Sequence, residues 1–239
     1  MVTVPTAVLV HGAFTDAGIW SGVIPKLQHH GIPVLAPPNP LRGPVSDAAY
    51  VASVAAQITG PVVLVGHGYG GAVITVAGTA ENVVGLVYIA APLPQEGESL
   101  TQLHRRFPLP SLADALRPST FPAFGDGRPT TEVTLSDQAF HCVFAADVPP
   151  RTARILAAAQ RPLAVSACAE TIPAAAWRNK PSWVLVAGAD RAVSPELVRH
   201  GARRAEATVL EAEGASHAVP LSQPQEAAEL IRDAVRATT

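Results

Sequence analysis

Apolar residues along this chain gather into short unbroken runs, each stopped by glycine, proline or charge. Ala7–Val10 halts at His11-Gly12, Pro33–Ala36 at Pro37-Pro38, and Pro61–Val65 at Gly66. Val83–Ala91, with Gly85 inside it, halts at Pro92; Trp183–Ala187 halts at Gly188; Ala207–Leu210 ends in acidic residues. Continuously apolar strands are those buried on both faces. Helical spacing fills the gaps between them. Over Asp16–His29, the residues Ile19, Trp20, Val23, Ile24 and Leu27 form one stripe, with Thr15 and Asp16 placed to cap it. Asp47–Ile58 and Gly70–Ala80 are further helical segments. Pro195–Ala205 follows Ser194, a capping residue with proline in the first turn. Pro224–Ala237 carries Ala228, Leu230, Ile231 and Val235 on one face. This alternation predicts an α/β fold, a mainly parallel six-stranded doubly wound sheet with helices on both faces.

One stretch breaks the rhythm. Residues 94–179 contain no apolar strand run, and Pro, Phe and Arg are scattered through them. We expect a helical cap there, inserted into a core of residues 1–93 and 180–239; a second small domain is the alternative. Five of the six phenylalanines, Phe107, Phe121, Phe124, Phe140 and Phe144, lie in this stretch. They either pack its own core or wall a substrate site.

Composition narrows the picture. With 239 residues, 48% of them hydrophobic, the chain can bury a substantial core. A 15% charged fraction does not describe a disordered chain. The net charge of −2 leaves no basic excess for nucleic acid. Cys142 and Cys168 form no disulfide framework and have no metal-ligand spacing. No secretory pattern opens the sequence and no apolar run is long enough for a membrane span. A cytoplasmic protein is expected, as monomer or homodimer, with no metal.

The sharpest motif is Gly66-His67-Gly68-Tyr69-Gly70-Gly71, directly after a strand and directly before a small-residue helix. A strand turning tightly into a helix needs small flanks, and the residue at its tip projects into the crevice at the strand's carboxyl end. The G-x-G-x-x-G spacing of a dinucleotide loop also fits here. It follows the third strand, however, and no acidic residue ends the next one.

At these residues the chain resembles the α/β-hydrolase superfamily, in particular the small branch of plant methylesterases, hydroxynitrile lyases and bacterial esterases. His11-Gly12-Ala13-Phe14 resembles its oxyanion loop, Gly188-Ala189-Asp190-Arg191 its acid loop, and Gly214-Ala215-Ser216-His217 its histidine loop. The resemblance implies an α/β-hydrolase fold and cofactor-independent chemistry on a small molecule. It also implies a departure: the elbow tip, where the family pattern has Ser, is Gly68. The cyanohydrin lyases of this branch use Thr and Lys where this chain has Gly12 and Ala218.

If strands pair in sequence, the loops carrying Asp190 and His217 are neighbours. A carboxylate bonded to one ring nitrogen then raises the basicity of the other. Asp147 and Glu96 are weaker candidates for the acid, and Cys142 and Cys168 weak substitutes for the nucleophile. The backbone N–H groups of Ala13 and Tyr69 would form the oxyanion hole, and they survive any side-chain change. Phe14, His67, Phe140 and Phe144 are expected around the substrate. Three functions stay open: an esterase-type enzyme, acting on a small and partly apolar ester or carbonyl compound, that has lost acyl-enzyme turnover; a lyase, cyclase or isomerase using His217–Asp190 as general base; and a small-molecule-binding pseudoenzyme.

Overall fold

A computed structural model describes residues 3–107, 110–122 and 129–239. The chain begins with strand β1 (Thr6–Val10), helix α1 (Ile24–His29), β2 (Val34–Leu35), α2 (Pro44–Ala56), β3 (Val62–His67), α3 (Gly70–Ala77) and β4 (Val83–Ile89). An insertion follows: α4 (Leu100–Arg106), α5 (Pro110–Ala115), β5 (Leu116–Pro122), β6 (Pro129–Leu135), α6 (Asp137–Phe144), α7 (Pro150–Ala158), β7 (Leu163–Ala164) and α8 (Val165–Ala169). The chain then returns as β8 (Ser182–Ala187), α9 (Pro195–Arg204), β9 (Thr208–Ala212), α10 (Val219–Ser222) and α11 (Pro224–Ala237).

Six strands form one parallel sheet in the order β2-β1-β3-β4-β8-β9. The inner strands are the buried ones: every residue of β3 and β8 is shielded from solvent. The two edge strands are not shielded on both faces, with Leu35 of β2 41% and Val209 of β9 50% exposed. The chain leaves β1 towards β2 on one side and leaves β3 towards β4 on the other. That reversal opens a crevice at the strands' carboxyl ends. Among the described residues no helix is long and apolar enough to cross a membrane.

Two elements differ from expectation. The single helix over Asp16–His29 is a 3-10 turn at Ala17–Trp20 followed by α1, with Pro25 in the first turn of α1. Proline has no N–H to continue a helical ladder, so the stripe breaks there. Asp16 does cap its turn, accepting from Gly18 N–H at 2.7 Å. The insertion is also not purely helical, since β5, β6 and β7 form a three-stranded antiparallel sheet. The face of β5 is largely exposed and carries Pro118 and Pro122. Such a strand shows no apolar run, and its prolines are tolerated because it lies at a sheet edge. Phe124 lies outside the described residues.

The insertion leaves and rejoins the core through a narrow neck. Gly97 N–H donates to Ile172 O and Ile172 N–H to Glu98 O, both at 2.8 Å, and Ser99 bridges Thr171. Trp177 Nε1–H donates to Pro94 O at 2.8 Å. Arg204 of α9 holds Glu98 at 2.8 Å and also donates to Leu93 O.

Candidate active site

Only Gly68 and Tyr69 separate β3 from α3. Gly68 takes φ +51°, the left-handed region in which an L side chain is strained. The preceding loop lies against this turn. A β-carbon on Gly12 would meet His67 O at 2.7 Å and Tyr69 N at 3.3 Å, so only glycine fits there. This close approach puts the loop after β1 beside the start of α3. Among the described residues neither Ala13 N–H nor Tyr69 N–H donates to a protein acceptor. Two free amides, that of Tyr69 at a helix N-terminus, suit a developing oxyanion.

Neighbouring bonds hold these donors in place. Tyr69 Oη donates to Asp47 Oδ2 at 2.8 Å. Asp47 is fully buried and also accepts from Arg42 N–H at 3.1 Å. Burial pushes the Asp47 carboxyl up; burial and that carboxylate push the Tyr69 hydroxyl well above its ordinary value. Phe14 sits at φ +61° and donates its N–H to Arg161 O of the insertion at 3.1 Å. His11 accepts from Asn39 N–H at Nε2, 2.9 Å, which leaves Nδ1 to donate to Gly12 O. That pair of bonds requires a neutral ring, and burial lowers its pKa accordingly.

Asp190 and His217 lie on loops after the paired strands β8 and β9. His217 Nδ1 is 2.7 Å from Asp190 Oδ2. The other carboxylate oxygen accepts from Ala192 N–H at 2.7 Å and Val193 N–H at 2.9 Å. With Nδ1–H donating to the carboxylate, Nε2 is left as the basic nitrogen. It faces the elbow: a β-carbon on Gly68 would lie 2.8 Å from it. Asp147 does not reach this ring and bonds Ser216 instead. Glu96 is exposed at the neck.

A cavity of about 490 Å³ opens beside these groups. Ala13, Phe14, Tyr69 and His217 line its core side, and Leu100, Leu112, Leu116, Val133 and Leu163 its insertion side. No carboxylate lines it, and Arg105 is its one charged residue among those described. His104 stands next to Arg105, with its pKa lowered by burial. Cys168 also lines the wall, and burial pushes its thiol up to about 11, which suits a packing residue rather than a nucleophile. Cys142 is exposed elsewhere.

The structure does not place His67, Phe140 and Phe144 on the cavity wall. All three are fully buried. Phe140 and Phe144 stack at 4.9 Å, and Phe144 meets His217 edge-on at 4.9 Å. His67 lies 4.5 Å from the His217 ring and donates Nε2–H to His217 O at 2.9 Å. Burial holds the His67 pKa well below its ordinary value. The apolar face of α6 turns inward against the His217 ring, and among the described residues the insertion side of the cavity carries Leu and Val but no Phe. Sequence reading missed Asp47, whose only signal was a carboxylate among apolar helix positions. Among the described residues no cluster suited to a metal ion occurs.

A crevice at the sheet's switch point, a free amide pair and a histidine–carboxylate couple together define a protein of the α/β-hydrolase class. Residues 7–230 match the Alpha/beta hydrolase family, and the chain belongs to it. No curated protein matches. Solved structures agree on the fold. Polyneuridine aldehyde esterase is 22% identical with a TM-score of 0.83, over 97% of this chain and 99% of that one. A pyrethroid hydrolase from Sphingobium faniae JZ-2 is 22% identical with a TM-score of 0.81, over 98% of both chains. Tomato methylketone synthase I, complexed with 2-tridecanone, is 18% identical with a TM-score of 0.80, over the full length of both.

Proposed function

We propose that this chain is an esterase-type enzyme for a small, mostly apolar ester or carbonyl compound, working without an acyl-enzyme because Gly68 stands where the family pattern has Ser. The reacting carbonyl oxygen sits at Ala13 N–H and Tyr69 N–H. His217 Nε2 takes a proton from water as that water adds to the carbonyl carbon. The tetrahedral adduct then expels the alkoxide, which receives the proton back from Nε2. Asp190 keeps the ring in the tautomer this requires and stabilises its charged form.

The observation that carries the reading is the position of His217 Nε2, 2.8 Å from where a tip side chain would begin. The base addresses the cavity directly rather than through a nucleophile. The lining supports an apolar ligand, and the names of the structural neighbours support ester and carbonyl chemistry. Losing a nucleophile from a Ser/His/Asp unit removes on the order of a millionfold in turnover and leaves roughly a thousandfold over water. The proposed enzyme is therefore slow with activated esters.

The test is hydrolysis of nitrophenyl esters from acetate to octanoate by the unmodified chain and by His217→Ala. Slow turnover without a burst, abolished in the variant, is the expected result. Equal rates in both proteins would overturn the reading. Exchange of the α-proton of a ketone with no ester cleavage would replace hydrolysis by base chemistry on the substrate itself.

A further inference from the structure

The three residues around the base, Ser216, His217 and Ala218, are each tied to something other than their own strand. Ser216 N–H donates to Asp147 Oδ2 at 3.1 Å, and Ser216 Oγ donates to Asp147 Oδ1. His217 O accepts from His67 Nε2–H. Ala218 N–H donates to Phe144 O at 2.9 Å, and also lies 3.3 Å from Ser216 Oγ. Phe144 and Asp147 both belong to the insertion, the first at the end of α6 and the second in the turn leading to α7. The insertion therefore holds the histidine loop on both sides of the ring. Phe144 adds its edge against the imidazole.

From this arrangement we infer that Asp147 is a positioning residue for the base: it sets the His217 loop so that Nδ1 meets Asp190 while Nε2 faces the elbow. The mechanics are short-range. Asp147 accepts two bonds from one residue, which fixes that residue's backbone and hydroxyl together. The hydroxyl in turn accepts from Ala218 N–H, so a chain of bonds spans the loop beneath His217. A loop tied at both ends holds a side chain far more closely than one tied at its strand alone. A shift of about 1 Å in a reacting group is worth on the order of 100-fold in rate. Asp147 is exposed and touches no cavity atom, so its influence runs through Ser216. In this arrangement the cover over the cavity and the position of the base are one mechanical unit.

The inference rests on the proposed function for its kinetic arm only. The first measurement needs no turnover: the far-downfield proton resonance of the His217 Nδ1–H bonded to Asp190, assigned by its loss in His217→Ala and Asp190→Asn. Asp147→Ala is expected to broaden or shift this resonance, and Asp147→Asn, which keeps one acceptor for Ser216, to restore it in part. The second measurement is the split of ester turnover. Asp147→Ala is expected to lower kcat by roughly 10-fold to 100-fold with KM within about twofold. An unchanged resonance in Asp147→Ala overturns the inference. So does a fall in kcat matched by an equal rise in KM and a lower Tm, which describes a merely structural contact. If the unmodified chain shows no turnover, the proposed function fails while the resonance still decides the role of Asp147.

Discussion

His217 Nε2 stands 2.8 Å from the point where a β-carbon on Gly68 would lie. That is shorter than carbon–nitrogen van der Waals contact, so the ring occupies space that a tip side chain needs. The ring cannot retreat freely. Asp190 holds Nδ1 at 2.7 Å, and Phe144 and His67 pack against it. Glycine at the tip and an advanced imidazole are two halves of one arrangement.

Gly68→Ser tests that pairing. The serine enters the left-handed region, at about 1–2 kcal/mol of stability, and must push the ring back. Chemical denaturation should register the loss. Rapid mixing with a nitrophenyl acetate should show a burst absent from the unmodified chain. A variant with no burst and no gain in rate would separate this site from serine-type chemistry altogether.

Removing either member of the dyad should be severe. Asp190→Asn presents an amide that can stabilise the wrong tautomer, and most of the roughly thousandfold advantage left to a site without a nucleophile should go with it. His217→Ala removes the proposed base, with an expected loss of at least about 10². Binding of an apolar ketone, followed by calorimetry, should persist in both.

Gly12→Ala probes the amide pair without touching the dyad. Its new methyl meets His67 O at 2.7 Å and comes within 3.3 Å of Tyr69 N. The two loops must part, at about 1–3 kcal/mol for overpacking. If the two amides hold the oxyanion as proposed, displacing one should remove on the order of 10²–10³ in kcat. Steady-state kinetics alongside thermal unfolding would show whether activity falls much further than stability.

Acid should destabilise the fold through His11 and His67. Burial holds both below the ordinary value of 6.5. Between the depressed folded values and 6.5, the unfolded chain binds protons that the folded chain does not. Stability is therefore full above about pH 6.5 and declines as pH falls, by up to about 1.4 kcal/mol per pH unit for each ring. Asp47 acts with the opposite sign in a lower window. Its carboxyl is raised above 3.8, so in that window the folded form keeps the extra proton and stability declines as pH rises. Unfolding midpoints followed from neutral pH downward should show the histidine slope, and His67→Gln should flatten it.

Leu116 lies on the insertion side of the cavity. Leu116→Trp places an indole on that wall and should raise KM for an octanoate ester about tenfold while leaving the acetate ester unaffected. Equal effects on both esters would place the reacting chain elsewhere.

Much of the sheet and the dyad could be read from sequence because the physics there is local. Buried parallel strands write themselves as apolar runs, and His11-Gly12, Gly66–Gly71, Asp190 and His217 fall where those runs stop. The insertion is different. Strands β5 and β6 pair antiparallel with largely polar faces, and Pro118 sits inside one of them, so neither pattern nor propensity marks them. Phe140 and Phe144 are legible as apolar but not as packing behind His217, since only tertiary packing decides that Phe144 meets that ring and Phe140 stacks on Phe144. The Asp147–Ser216 contact spans 69 positions and leaves no periodic trace.

The neck at Gly97, Glu98, Ser99, Thr171 and Ile172 gives the chain a single doorway out of the sheet and back into it. The two ends of the excursion are already side by side, so replacing everything between them requires no rearrangement of β4 or β8. A transplanted segment of different length would close the same loop at little entropic cost, because that cost grows only slowly with length. The doorway thus makes the insertion's side of the cavity exchangeable as a cassette. Since Asp147 and Phe144 travel inside the cassette, each exchange would also retune the histidine beneath it.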